Sequence, residues 1–284
     1  MSMNKDYCVF ILSYNRPQNV LTYSTLINQG YTGEIYIICS SDDSSIEEYR
    51  EKYKNVFVFN KDEYRGTFDM VDNFDKKNTV VFARNAAFDI AEKIGYKYFI
   101  VLDDDYTSFR YSMKPDMSYN TKGDKVLNID FMMDILIEFY KKTSAKTLAI
   151  AQGGDFIGGK DSGLFKKKVG RKAMNFFICS TDRRFNYIGR QNDDVNTYIR
   201  LGELGELFLT VVNYRLEQKA TQKNKGGLTD MYLDSGTYVK SFYSVIVHPS
   251  AAKIGVMGNK NKRLHHVITW NKCVPMILQE TYKK

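Results

Sequence analysis

Asp103, Asp104 and Asp105 stand in a row directly after Tyr98-Phe99-Ile100-Val101-Leu102. The five apolar or aromatic residues predict a buried strand. The carboxylates then fall at its carboxyl end, outside which the ligand crevices of open α/β sheets lie. Like charges side by side repel, and a cation relieves the repulsion. Oxygen-only ligands favour hard ions, so the triplet is expected to hold Mg²⁺ or Mn²⁺ beside a phosphate-bearing ligand. Asp103 and Asp105 are the expected metal carboxylates. Asp104 is expected to point elsewhere and to be the expendable member. A second acidic pair, Asp193-Asp194, opens a predicted helix over 193–202, where negative charge suits the first turn. Either carboxylate could take the proton of an attacking hydroxyl.

A nucleotide-sugar donor must be gripped at its base and ribose, its diphosphate and its sugar, and each grip has a candidate. Asp42 and Asp43 follow a predicted strand and could accept hydrogen bonds from a ribose or a uracil. Arg84 and Asn85 open the helix that leads to the triplet. Arg84 could reach a phosphate, and Asn85 could bond the sugar or orient a carboxylate. One motif is a decoy: Gly154 to Lys160 satisfies GxxxxGK, but Asp161 follows instead of Ser or Thr and no helix is predicted there, so a P-loop is rejected.

The elements that must position these groups follow from apolar patterning. Strands are predicted over 7–13, 34–39, 56–59, 98–102, 148–152, 175–179 and 207–212. Helices are predicted from Pro17 to about Asn28 and over 45–53, 82–94, 129–142 and 193–202. Phe82, Ala86, Ile90 and Ile94 form one stripe of the helix that Gly95 stops. The alternation of strand and helix through the first 60 residues is the βαβ pattern of a parallel sheet. Residues 106–125 read as loop, 158–172 as a mobile basic loop, 217–229 as a polar Gly-rich stretch, and the tail as short strands and basic loops. With no internal repeat and no clear linker, one domain over 1–284 is expected, with a donor and metal half over 1–150 and an acceptor half over 151–284.

The 284 residues carry a net charge of +8, unevenly spread. Residues 1–142 hold 18 Lys and Arg against 22 Asp and Glu, whereas residues 143–284 hold 23 against 11. A basic second half suits a polyanionic partner, nucleic acid first. The expected DNA grip is the 158–172 stretch, with Lys166, Lys167, Lys168, Arg171 and Lys172, together with Lys219, Lys223, Lys225, Lys260, Lys262 and Arg263. Tyr187, Tyr238, Phe242 and Trp270 could stack on an extruded base. Four scattered cysteines without a CxxC pair fit a reducing compartment and exclude a structural zinc site. No apolar run approaches the roughly 18–20 residues of a membrane helix, and no signal-peptide stretch opens the chain, so a cytoplasmic protein without membrane contact is expected.

Ser13-Tyr14-Asn15-Arg16-Pro17 after the first strand, then Arg84-Asn85, Gly95 and Leu102-Asp103-Asp104-Asp105, resemble the opening and the RN…G…LDDD stretch of GT-A glycosyltransferases. Further on, Met174 to Phe177, Gly189 to Tyr198, Thr221-Gln222, Gly226 to Asp230, Gly236 to Ser241 and Arg263 to His266 resemble the TET/JBP-associated glycosyltransferases of phages, giant viruses and some eukaryotic DNA-modification systems. The resemblance implies a Rossmann-like, nucleotide-diphospho-sugar transferase fold with a mixed sheet and helices on both faces. It implies transfer of a sugar, with UDP-sugar as the expected donor, onto the hydroxyl of a 5-hydroxymethylpyrimidine in double-stranded DNA. It implies donor contacts from Ser13, Asn15, Arg16, Asp42, Arg84, Asn85 and Asp103. The metal, Mn²⁺ or Mg²⁺, would sit on Asp103, Asp105 and a late histidine, His265 or His266, with His266 preferred. Adjacent residues of a strand point to opposite sides, so at most one of the two is expected to be a ligand. The implied compartment is the cytoplasm, that of an infected host cell if the chain is phage-encoded. Asp193-Asp194 stands where relatives are expected to carry Glu-Asp. Two rival readings are a GT-A enzyme with a carbohydrate or protein acceptor, and a catalytically silent DNA-binding module.

Overall fold

The structure is a computed structural model that describes residues 5–74, 76–219, 236, 238–258, 262–275 and 280. The strands are β1 (Tyr7–Leu12), β2 (Ile35–Ser40), β3 (Val56–Phe59), β4 (Tyr98–Asp103), β5 (Tyr106–Tyr111), β6 (Thr147–Gln152), β7 (Val169–Gly170), β8 (Phe176–Ser180), β9 (Phe208–Gln218), β10 (Ala252–Met257) and β11 (Arg263–Ile268). The helices are α1 (Leu21–Asn28), α2 (Ile46–Lys52), α3 (Val81–Lys93), α4 (Ile129–Lys141), α5 (Gly163–Lys167), α6 (Asp193–Glu203) and α7 (Val239–Val247).

Among the described residues, nine strands form one mixed sheet in the order β3-β2-β1-β4-β8-β6-β9-β5, with β7 on β9. β1 is buried along its whole length. Tyr7, Val9 and Ile11 face the layer of α1, α2 and α4, while Cys8, Phe10 and Leu12 face α3 and α6. Burial on both faces is why β1 reads as an unbroken apolar run. The expected mixed sheet with helices on both faces is present.

β1, β2 and β3 run parallel, and the chain then crosses through α3 to β4 on the other side of β1. The order reverses at β1 and β4, which is the switch point where an open α/β sheet leaves a crevice. Leu12 pairs with Asp103, so the two strands end flush. Gly95, at φ +82°, turns the end of α3, with its N–H on Glu92 O and that of Tyr96 on Ala91 O. A left-handed residue after the helix is the position glycine fills without strain. The chain is thus delivered straight into β4.

Three expectations are corrected. Residues 106–111 form strand β5, paired antiparallel with a β9 that runs on to Gln218. The acid triplet therefore spans the last residue of β4, Asp103, and the two-residue turn Asp104-Asp105 that leads into β5. The 158–172 stretch is folded: α5 and β7 set Phe165 against Phe156, Ala151 and Val212 in a small core. Residues 239–247 form α7, although Val-Lys-Ser-Phe-Tyr-Ser-Val-Ile-Val favours a strand by composition. Packing against β10 and β11 overrides that propensity. Thr221, Gln222, Lys223, Lys225, Gly226 to Asp230 and Lys260 lie outside the described residues. No helix among the described residues is long and apolar enough to cross a membrane.

Candidate active site at the switch point

A crevice of about 800 Å³ opens outside the ends of β1 and β4. Asp103, Asp104, Asp105, Asp193 and Asp194 all border it, with Ser13, Tyr14, Arg16, Lys61, Arg84, Lys240, Arg263 and His265. The turn that carries the triplet is clamped by α1. Thr22 donates its hydroxyl to Asp103 O at 2.6 Å, accepts the Tyr106 N–H at 3.0 Å, and donates its own N–H to Asp104 O at 3.1 Å.

The three carboxylates have separate fates. Asp104 is 1% exposed. Its Oδ2 accepts from Ser13 Oγ at 2.5 Å and from Arg16 Nε at 2.6 Å. Burial pushes its pKa up to about 6 against the pull of Arg16 and Ser13. Asp104 is therefore the anchor of the β1 loop, not an expendable residue. Tyr49 OH completes that anchor, bonding Ser13 Oγ at 2.7 Å and accepting the Arg16 N–H at 3.0 Å. Asp105 is driven up to about 7, by burial first and then by the charges of Asp103 and Asp104. Asp103 is half-buried at the end of β4 and lies 3.4 Å from Arg84 Nη2.

Arg84 joins the two acidic sites. Its Nη1 donates to Asp193 Oδ2 at 2.8 Å, and its guanidinium lies 4.9 Å from the Phe177 ring centre and 5.7 Å from that of Tyr187. Burial pulls the guanidinium pKa down, but Asp193, Asp103 and Asp194 outweigh it and hold the group well above its ordinary value. Burial raises Asp193 to about 6, with Arg84 opposing. Asn192, at φ +59°, starts α6 in the left-handed region that asparagine tolerates. Asp194 also faces the crevice, with Oδ1 on the Val195 N–H at 2.7 Å.

The loop around residues 69–79 holds the segment before the acid pair from outside. Gly189 N–H and Arg190 N–H donate to Asp69 O and Met70 O at 2.7 and 3.0 Å, and Thr79 Oγ1 donates to Arg190 O at 2.6 Å. The Arg190 side chain meets Asp72 at 2.7 Å and Tyr243 OH of α7 at 2.7 Å. Tyr243 also bonds Asp72.

Several expected site residues are placed elsewhere. Asn85 does not reach the crevice wall: both ends of its amide are taken by the Tyr187 backbone, at 3.0 and 2.8 Å. Arg84 is spent on Asp193 and Asp103 instead of reaching out for a phosphate. Asn15 caps the loop by giving its N–H to Asp43 Oδ2 at 2.8 Å. Asp42 is paired with Lys61 Nζ at 3.0 Å and bonded by Ser40. His266 is not among the crevice residues; its Nδ1 lies 3.2 Å from Asn192 Nδ2, and burial depresses its pKa to about 3. His265 borders the crevice instead. The two rings lie 4.2 Å apart at 32°, so they do not point to opposite sides of the strand.

Lys166, Lys167, Lys168, Arg171 and Lys172 do not border the crevice. Lys172 is paired with Asp155, Lys168 lies over the Phe165 ring, and Arg171 donates to Trp270 O at 3.0 Å. Lys166 is exposed and 3.2 Å from Asp161, while Lys167 is exposed. Lys262 is exposed next to Arg263 at the start of β11. Of the aromatics, Tyr187 is buried and Trp270 stacks on Tyr198 at 5.7 Å, whereas Tyr238 and Phe242 are exposed.

Two site residues carried no usable signal in the sequence. Lys61 is buried beside Asp42, with Nζ 4.6 Å from the Tyr14 ring centre. Lys240 opens α7 at the crevice wall, where burial lowers its pKa and Asp194 opposes the fall. Isolated lysines in a chain with 41 basic residues do not stand out until the fold gathers them.

Replacing Arg84 with Met leaves Asp193 and Asp103 without their counter-charge. The expected loss at pH 8 is about 3–5 kcal/mol of stability, as for other buried pairs broken from one side. Asp193 rises from the ordinary 3.8 to about 6 in the folded protein, so its folded form binds the proton more tightly. Its stabilising effect is full below the unfolded value and is lost as pH rises through 6. Without Arg84 the folded pKa rises further, so the deficit of the variant shrinks from pH 8 to pH 5. Urea unfolding of both proteins at the two pH values measures this, and an equal deficit at both excludes Asp193 as the group left unpaired.

Comparison with known proteins completes the description. No curated protein matches the sequence. Among solved structures, glucosyl-3-phosphoglycerate synthase from Mycobacterium tuberculosis, in complex with Mn²⁺, uridine diphosphate and phosphoglyceric acid, aligns with a TM-score of 0.46 at 9% identity, over 95% of this chain and 88% of that one. The mannosyltransferase PcManGT from Pyrobaculum calidifontis, in complex with GDP-Man and Mn²⁺, aligns with a TM-score of 0.43 at 9% identity, over 87% and 74%. S. aureus TarS aligns with a TM-score of 0.43 at 11% identity, over 84% and 39%. At these scores the likeness assigns nothing to the site. The TET-Associated Glycosyltransferase family model matches residues 7–227, from β1 through the acid triplet and the acid pair. The chain belongs to the TET-Associated Glycosyltransferase family and is a glycosyltransferase.

Proposed function

We propose that the protein moves a sugar from a nucleotide sugar, a UDP-sugar, to the hydroxyl of a 5-hydroxymethylpyrimidine in double-stranded DNA, with Mn²⁺ or Mg²⁺ at the donor. The observation that carries this reading is the meeting of two acidic sites in one crevice, with Arg84 between them. Asp103 and Asp105 belong to the donor half over 1–150, and Asp193 and Asp194 to the acceptor half over 151–284.

The donor set fits a hard divalent cation. Among the described residues no three His, Cys, Asp or Glu side chains converge into a ready metal cage. Two carboxylates on a crevice wall match an ion such as Mg²⁺, which keeps waters and shares its sphere with substrate phosphates. Burial first, and then repulsion by Asp103 and Asp104, raises Asp105, and a cation beside it would offset both. When bound, the cation would neutralise charge that builds on the departing diphosphate. Asp103 and Asp105 hold it, and Arg16, kept in place by Asp104, borders the same space.

Asp194 is the proton acceptor for the attacking hydroxyl. Asp193 is committed to Arg84, while Asp194 borders the crevice and, among the described residues, meets a backbone N–H at Oδ1. Lys240 interacts with it across the crevice and stands on the acceptor wall with Arg263. The excess of 23 basic over 11 acidic residues in 143–284 supports a polyanionic acceptor. Incubation with a panel of UDP- and GDP-sugars and duplex DNA bearing hydroxymethylcytosine or hydroxymethyluracil, followed by mass spectrometry of the nucleosides, tests the whole reading. A mass gain of one sugar on the modified base is expected. Transfer to free carbohydrate alone sinks the DNA assignment.

Metal binding should be linked to pH through Asp105. With its pKa at about 7, protons compete with the cation below that value. Mn²⁺ affinity is expected to fall up to about tenfold per pH unit from 7 to 6 and to flatten above 8. Asp105→Asn should weaken Mn²⁺ binding and remove most of this dependence, as read by titration calorimetry. An unchanged profile in that variant places the metal elsewhere.

The exposed face of α5 remains the expected outer phosphate grip. Replacing Lys166, Lys167 and Lys168 together with Ala should weaken duplex binding. It should also flatten the dependence on log salt by about 0.9 for each phosphate that the variant no longer neutralises. Fluorescence anisotropy at several salt concentrations measures the slope, and an unchanged slope removes α5 from the DNA interface.

A further inference from the structure

α4 is apolar on both sides. Ile129, Met132, Met133, Leu136, Ile137 and Tyr140 are buried against the sheet. On the opposite side, Phe131 is 60% exposed, Ile135 43% and Phe139 41%. Leu127, four residues before Phe131, is 79% exposed, and Ile27 of α1 is 49% exposed. The end of α1 meets the start of α4 where Ile129 N–H donates to Gln29 O at 2.9 Å. An ordinary surface helix keeps a polar outer face, and α4 interrupts its own, which carries Glu138, with Phe131, Ile135 and Phe139. Five large side chains at these exposures present about 500 Å² of apolar surface, near the upper end for a monomer.

We propose that this face of α4 packs against the same face of a second copy of the chain. The spacing favours a two-fold partner. Phe131, Ile135 and Phe139 read the same in both directions, with an aromatic residue four positions to either side of Ile135. Two such helices placed antiparallel about Ile135 bring each Phe131 against the partner's Phe139, with the two Ile135 side chains on the axis. The side chains form one i, i+4 ridge, the kind that interdigitates in the commonest helix packing. Beside the face Asp130 and Asp134 are paired with Lys5, and Glu138 with Lys141, so its flank is charge-neutralised and offers no cationic row to DNA or an anionic lipid surface. About 500 Å² of apolar area per copy, with Asn128, Glu138 and Lys142 at the rim, approaches the roughly 800 Å² per partner of a standard interface. None of the crevice residues lies on α4, so dimer formation leaves the active site open on each copy.

Sedimentation velocity at protein concentrations from about 1 to 100 µM tests the proposal through mass action. The expected result is a shift from the 32.9 kDa of one chain to twice that mass. Ile135→Glu should halve the mass at the highest concentration while donor binding stays unchanged. Ile135→Cys supplies the geometric test. The four native cysteines are buried, so under mild oxidation this variant should form a disulfide-linked dimer with itself. Phe131→Cys and Phe139→Cys should link to each other in a mixture and not each to itself. A wild type that stays at one chain mass at the highest concentration overturns the proposal. So does a dimer that survives Ile135→Glu, or an Ile135→Cys variant that stays unlinked.

Discussion

The buried guanidinium of Arg84 is the constraint on which the rest of the site depends. It is held by Asp193 at 2.8 Å and by Asp103 at 3.4 Å, residues 109 and 19 positions away in the chain. A cation buried this deeply cannot be solvated by water, so both acids must stay where they are. That fixes the end of β4 relative to the start of α6, and so joins the carboxylates of the acid triplet to those of the acid pair. Phe177 and Tyr187 add the faces of their rings, which suit a planar cation. Lysine has neither the planar fork nor the two-sided reach to do the same.

The crevice is crowded with like charge, and the fold sorts that charge by depth. Asp104 is withdrawn and bonded to Ser13 and Arg16. Asp193 is withdrawn and bonded to Arg84. Asp105 and Asp194 are left to face the open space with Asp103 half-buried between them. Five acids with different depths and different partners come from a sequence in which all five look alike. The separation arises from neighbours: burial with a cation makes an anchor, and burial beside other carboxylates makes a group that wants a cation or a proton.

What was legible in the sequence follows from which forces are local. β1, β2 and β4 are continuous apolar runs because both faces of the central sheet are covered, and the acid triplet marks the end of β4 without any tertiary knowledge. β5 was not legible, since Tyr-Thr-Ser-Phe-Arg-Tyr becomes a strand only when β9 extends past Val212 to meet it. α7 was hidden because its residues favour a strand and only its packing makes it a helix. Asn85 stood out as a polar residue beside Arg84, but its partner is the backbone of Tyr187, 102 positions away, and no spacing announces that. Lys61 and Lys240 were invisible for the same reason: a single charge acquires a role only from what the fold sets around it.

The acid pair shows the same sorting between two neighbours. Aspartate is short enough to stay at the N-terminus of α6, where the helix dipole favours it, and to meet Nη1 at 2.8 Å. Both acids border the crevice, and Asp194 is the one that acts on Lys240. Asp193 has Arg84 as its partner, and Asp194 is buried beside it at the crevice wall. Arg190, Asp72 and Tyr243 brace this arrangement from the other side, so the turn at Asn192 cannot swing to exchange the two acids.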